Sequence, residues 1–441
     1  MRADRLLARS SLSRRAVLSG GAAALALPFV PRAQAAEPIN FATWSAAVDQ
    51  VKAHLAAFTA KNGVDVAYSN SPFAQYRETM ITKFTGGAPV DMLWVSDSWL
   101  PEFAQAGWLA PIDSFKNLTA YNAGTSDFCN QSMMYDGKQY GLTYYTDYMG
   151  FLYNADILAQ AGFTKPPESW DEVTSMASAI KAKGLLDYPV VFGMAQESWM
   201  IEFISAMVYS HGGRLIDDAG TAVLQDGKSG AVSTLNWLVD AVGKHKILSP
   251  GCVTTGELEV LKTASAGKAA FVLLPKYRLR VLNDPAQSSV AGKFRQALMP
   301  MGAGGSHSTV GWMRFYGMTP RAVANAERGQ NTAKLIEWFG GKADGDYRFQ
   351  KTVLKDLALG FGVKALYDDA EVRASLGSYG DVDLMAQQQT LAHKKDTIAP
   401  WFGEWNDSFG TAWQQAITGK TSVEAALKLS ATKWAELKKA G

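Results

Sequence analysis

The stretch INFATWSAAVDQVKAHLAAFTAKNGVDVAY, residues 39–68, decides the fold class. Ile39-Asn40-Phe41-Ala42-Thr43-Trp44 has the aromatic and β-branched composition of a short strand. Val51, Leu55 and Phe58 then recur at helical spacing until Gly63, where a residue without a side chain ends the helix. Val64, Val66 and Tyr68 alternate as a second strand does. Strand, helix and strand in this length make a parallel crossover unit. The order continues with an apolar strand over residues 90–95 and a helix over residues 98–106. Ser169-Trp170-Asp171-Glu172, after Pro166-Pro167, is a capping box that opens a helix with Val173, Met176 and Ile180 on one face. Helices follow through Val232, Leu235, Val239 and Val242, through Leu335, Trp338 and Phe339, and over residues 423–437 after the box Thr421-x-x-Glu424. Apolar strands are expected over residues 190–194 and 269–274. The class is therefore α/β, with open sheets and helices on both faces.

Outward from this body, Arg14 and Arg15 precede an uncharged apolar run over residues 16–30, too short and too rich in Ala and Gly to span a bilayer stably. Ser13-Arg14-Arg15-Ala16-Val17-Leu18 resembles a twin-arginine export signal, and Ala33-Gln34-Ala35 is a small-x-small cleavage pattern. Residues 1–35 are thus expected to be an export signal, with Ala36 opening the mature chain. Without those 35 residues, which hold six Arg and one Asp, the chain carries 37 basic and 40 acidic side chains. That balance offers neither nucleic acid nor an anionic membrane surface an electrostatic footprint. About 400 remaining residues exceed one ordinary core, so two domains are expected. Cys129 and Cys252 are expected to be buried, unpaired thiols.

No catalytic constellation stands out, and no cofactor is implied. His54, His211, His245, His307 and His393 lack metal-ligand spacing, and the chain has neither a Gly-x-Ser-x-Gly elbow nor a Cys-x-x-Cys pair. Gly302-Ala303-Gly304-Gly305-Ser306 lacks the Lys-Ser/Thr of a nucleotide loop.

Six blocks carry a family resemblance. Pro89-Val90-Asp91-Met92-Leu93-Trp94 leads, followed by Gly107-Trp108-Leu109-Ala110-Pro111-Ile112-Asp113, then Gly137-Lys138-Gln139-Tyr140-Gly141-Leu142 with Leu152-Tyr153-Asn154. Pro167-Glu168-Ser169-Trp170-Asp171-Glu172, Gly267-Lys268-Ala269-Ala270-Phe271 and Gly419-Lys420-Thr421-Ser422-Val423-Glu424-Ala425-Ala426-Leu427 complete the order. Together they resemble the family 1 extracellular solute-binding proteins, the carbohydrate-type binding components of ABC importers. Thr143 and Pro275-Lys276-Tyr277 depart from the family pattern near the expected cleft. The resemblance implies a periplasmic binding protein-like type II fold: two α/β lobes joined by hinge crossings, with the ligand cleft between them. It places lobe 1 at residues 36–145 and 303–358, lobe 2 at 146–302 and 359–441, and crossings near 144–150, 298–302 and 357–362. It further implies a periplasmic, non-catalytic monomer that passes a sugar or polyol to inner-membrane ABC permease subunits. The alternatives are a binding protein for an organic acid or polyamine and an exported glycoside-acting enzyme.

A sugar combines hydroxyls, which donate and accept, with apolar C–H faces, so its site pairs polar side chains with aromatic platforms. In open α/β sheets such ligands lie beyond the carboxyl ends of strands. That rule selects Trp44 and Ser45, Asp97, Trp199 and Tyr277. Tyr145 and Asp147 stand where the resemblance places a crossing, and Trp312 and Arg314 follow Gly311 in a glycine-rich approach. Trp401, Glu404 and Trp405 form a late aromatic and acidic cluster from which at least one cleft residue is expected.

Overall fold

The computed structural model describes residues 37–197 and 199–440, so the export-signal reading of residues 1–35 lies outside the described residues. The crossover unit forms as expected. Strand Ile39–Trp44 pairs in parallel with Val66–Ser71 on one side and with Met92–Ser96 on the other. Helix Val48–Asn62 between the first two buries Val51, Leu55 and Phe58. It stops at Gly63, whose φ of 64° lets its N–H reach the Thr59 carbonyl.

The centre of the sheet is a single strand, Leu142–Asn154, thirteen residues long and buried along nearly its whole length. Its first half pairs antiparallel with Thr309–Met318, and its second half pairs with Phe271–Pro275 and Phe294–Ala297. The strand order is Val66–Ser71, Ile39–Trp44, Met92–Ser96, Thr309–Met318, Leu142–Asn154, Phe271–Pro275, Val190–Val191. The separate sheets expected from the sequence are thus hydrogen-bonded into one, because this strand changes neighbours between Tyr148 and Met149.

Three local expectations are corrected. The strand expected over residues 190–194 pairs only at Val190 and Val191. Beyond them Met194 and Ala195 donate to the Cys252 and Thr255 carbonyls, and a Cβ on Gly193 would lie 2.8 Å from the Thr255 oxygen, so a loop takes over the backbone bonds. The last helix, Val423–Ala440, is capped by Ser422, whose hydroxyl accepts from Ala425 N–H at 3.1 Å, rather than by Thr421. In the box at Ser169, the hydroxyl accepts from Glu172 N–H as expected, but the Glu172 carboxylate reaches Glu168 N–H.

Cys129 and Cys252 are both free and buried. Burial pushes the Cys252 thiol up to about 12 and raises Cys129 as well. A thiol reagent at pH 8 should leave the native protein unlabelled and label both cysteines once it is unfolded without reductant. An unfolded chain with no reactive thiol would instead reveal a bridge.

Candidate functional site

Sheet register brings the candidate residues to one place. Arg314 pairs with Ser96 on one neighbour and Tyr145 on the other, and Trp312 pairs with Asp147. Trp44, Asp97 and Tyr277 stand at or just beyond the carboxyl ends of Ile39–Trp44, Met92–Ser96 and Phe271–Pro275. Trp44 stacks on Trp94, with ring centres 5.2 Å apart, and on Tyr145 at 6.2 Å. The Tyr145 hydroxyl is pushed up to about 12, chiefly by burial and against the pull of Arg314.

Asp97 is 0% exposed and fully engaged. Its Oδ1 accepts from Ser98 N–H at 2.8 Å and faces Arg314 Nη1 at 3.0 Å and Lys395 Nζ at 3.1 Å. Its Oδ2 accepts from Met313 N–H at 3.0 Å. Burial by itself would push this carboxyl up, but Lys395, Arg314 and the Met313 amide together hold it below the usual range. Lys395 also pairs with Glu202 at 3.0 Å and donates to the Ser98 hydroxyl at 2.8 Å, while Arg314 Nη2 lies 3.8 Å from Glu202. Two acids and two bases far apart in sequence therefore form one buried, charge-balanced network.

Next to this network, the Arg278 guanidinium lies 4.8 Å from the centre of the half-buried Tyr277 ring and pairs with Glu257 at 2.6 Å. Burial, reinforced by Glu257, raises the Tyr277 hydroxyl well above its ordinary range. Asp147 lies beneath, 1% exposed, with Oδ1 accepting from Tyr148 N–H at 2.8 Å.

The remaining candidates lie in different surroundings. Ser45 is exposed and donates to Asn70. Trp312 is buried, and its carbonyl accepts from the Thr146 hydroxyl at 2.6 Å. Trp199 packs on Phe203 at the start of the helix that carries Glu202, with its buried indole N–H unpartnered among the described residues. Trp401 rests on Trp434, its indole N–H unpartnered among the described residues, and Trp405 is fully buried and donates to the Ser430 carbonyl. Glu404 is exposed and paired with Lys433.

Sequence reasoning missed Glu202, Lys395 and Ser98. Glu202 had a legible signal, since it is the one acid in the wholly buried helix Met200–Ser210. Lys395, within His393-Lys394-Lys395-Asp396, had none. Two cavities elsewhere, of about 290 Å³ beside Tyr121 and Glu337 and about 820 Å³ beside Tyr209 and Asp396, share no lining residue with this cluster. The cluster is the better candidate because charged and aromatic side chains converge there at the carboxyl ends of three strands; the larger cavity is lined by charged groups as well, among them Arg214, Lys394 and Asp396.

Comparison with known proteins agrees with the architecture. The family model for bacterial extracellular solute-binding proteins matches residues 35–345. A putative binding protein of Brucella abortus is 24% identical over 383 residues, covering 86% of this chain and 87% of its own. Maltose-bound MalE3 of T. maritima superposes with a TM-score of 0.75 at 22% identity, over 91% of this chain and 99% of that one. An ABC transporter solute-binding protein of Agrobacterium vitis with bound D-mannitol gives 0.71 at 22% identity, over 92% and 99%.

Proposed function

The chain belongs to the bacterial extracellular solute-binding protein family, and from that membership we propose that it captures a neutral sugar or polyol at the strand-end cluster and delivers it to an ABC permease. The observation that carries this reading is the charge balance around the aromatic faces. Asp97, Asp147, Glu202 and Glu257 are matched by Arg314, Lys276, Lys395 and Arg278. A dicarboxylate or a polyamine would meet no net opposite charge there, whereas a polyhydroxylated solute needs none. Trp44, Tyr145 and Tyr277 supply aromatic surface for its C–H faces.

In this reading residues 36–145 with 303–358 form one lobe, and 146–302 with 359–441 form the other. Asp97 and Arg314 then face Lys395 and Glu202 across the cleft. The contacts Lys395–Asp97 and Arg314–Glu202 become the bonds of a closed state, and a solute that touches both lobes only when they are shut shifts the population toward it. The role is capture without chemistry, in the periplasm after export and as a monomer.

Calorimetry and thermal melting with maltose, D-mannitol, citrate and spermidine test the proposal. A neutral probe should raise the melting temperature and be recovered unchanged. Trp44→Ala and Tyr277→Ala should each weaken its binding by about 1–2 kcal/mol, the loss of a stacking face. Binding of citrate or spermidine with no response to either neutral probe would sink the reading, and a cleaved maltose would favour an enzyme.

A further inference from the structure

Lys276 follows strand Phe271–Pro275 directly and is 1% exposed, yet its Nζ has no hydrogen-bond partner among the described residues. The ammonium lies 5.9 Å from the centre of the Tyr148 ring, a contact that attracts the charge without accepting a proton. Asp147 is equally buried, and its Oδ2 is also unpartnered among the described residues. The Tyr148 and Tyr277 amides both face this carboxyl, but only the first makes a well-aligned bond, to Oδ1.

The two orphan atoms converge. A Cβ built on Gly360 would lie 3.0 Å from Lys276 Nζ and 3.4 Å from Asp147 Oδ2, so both atoms face the same spot, although they form no direct ion pair. The same Cβ would come within 2.3 Å of the Thr146 carbonyl oxygen, so only glycine fits at 360 and the backbone there approaches both groups closely. Buried charged groups without hydrogen bonds are strongly disfavoured, and a fold retains them where a ligand completes the set. The completing group must offer a lone pair to the ammonium and a proton to the carboxylate. A hydroxyl does both. A carbonyl or carboxylate has no proton for Oδ2, and an ammonium has no lone pair for Nζ.

We propose that Lys276 and Asp147 form a subsite that grips one hydroxyl of the solute, with Lys276 Nζ donating to its oxygen and Asp147 Oδ2 accepting its proton. Lys276 thereby becomes a specificity-determining residue of this chain, at a position where the sequence departs from the family pattern. The inference rests on the sugar or polyol reading above.

Its test uses the mature protein with maltose and D-mannitol as probes, comparing wild type, Lys276→Met and Lys276→Gln. Lys276→Met keeps the length of the side chain and removes the donor. It should weaken the bound probe at least tenfold while the solute-free melting temperature stays level or rises. Lys276→Gln, which keeps an N–H donor, should recover part of the affinity. Unchanged affinity in Lys276→Met, the result expected if water alone bridges the pair, overturns the subsite and leaves the sugar reading standing. A solute-free melting temperature several degrees lower in Lys276→Met also overturns it, because Lys276 would then be a structural partner of Asp147. Failure of wild type to bind either probe removes the sugar reading and this subsite with it.

Discussion

Replacing Asp97 by Ala should destabilise the folded protein by about 3–5 kcal/mol, the usual cost of stripping one partner from a buried ion cluster. The variant leaves Arg314 and Lys395, both buried, to share the single acid Glu202, and it orphans the Met313 N–H that Oδ2 now accepts from. The charge sign gives a second readout. The folded carboxyl is held below its ordinary value, so its contribution is fully present above the unfolded pKa of about 3.9 and is lost as pH falls through the folded value. Urea unfolding should therefore show a constant gap between wild type and variant from pH 5 to pH 8 that narrows only in stronger acid. Pairing Asp97→Leu with Arg314→Met should recover much of the loss, since a whole buried pair replaced by apolar groups is often tolerated. A loss under about 1 kcal/mol for Asp97→Ala would place the cluster among the weakly coupled surface pairs.

The parts of the fold that were legible are those where periodicity and stop signals agree. In residues 39–71 a strand, an amphipathic helix and its terminal Gly63 all point one way, and the structure follows them. The centre was less legible. The family resemblance places a crossing near residues 144–150, and residues 142–154 form one strand, because both faces of it are covered and hydrogen-bonding partners exist along its whole length. Burial on both faces erases the alternation that marks a strand in a sequence.

The site divides along the same line. The rule that ligands lie beyond strand ends found Trp44, Asp97 and Tyr277, and register then carried Tyr145, Asp147, Trp312 and Arg314 beside them. Glu202 and Lys395 come from a helix and a loop, to which that rule does not apply. Arg314 pairs with the buried Asp97 carboxylate at 3.0 Å. Asp97 itself has each oxygen already engaged, which makes it the organiser that holds Arg314 and Lys395 in place.

Asp147→Asn should make the solute-free protein more stable and a poorer binder at once. Burial pushes the Asp147 carboxyl up to about 6, and the attraction of Lys276 offsets only part of that rise. Between the unfolded value near 3.9 and the folded value, the native state holds a proton that the unfolded chain has lost, so stability falls as pH rises through this window. Above it, the ionised group penalises the fold by roughly 2–3 kcal/mol, a penalty that a neutral amide of the same shape escapes. The gain should be full at pH 7 and close below about pH 4, where both side chains are neutral. Other buried groups, such as His54 and His211 with their lowered pKa values, bend both curves alike, so the difference between variants isolates Asp147. The amide keeps an oxygen for Tyr148 N–H, but it turns an N–H toward the spot that Lys276 Nζ also faces, leaving two donors and no acceptor for a solute hydroxyl. Affinity for a bound sugar or polyol should therefore fall at least tenfold by calorimetry while urea unfolding reports the gain in stability. A variant less stable than wild type at pH 7 would mean that the Asp147 charge supports the fold, and would remove the case for a carboxylate kept there for its ligand.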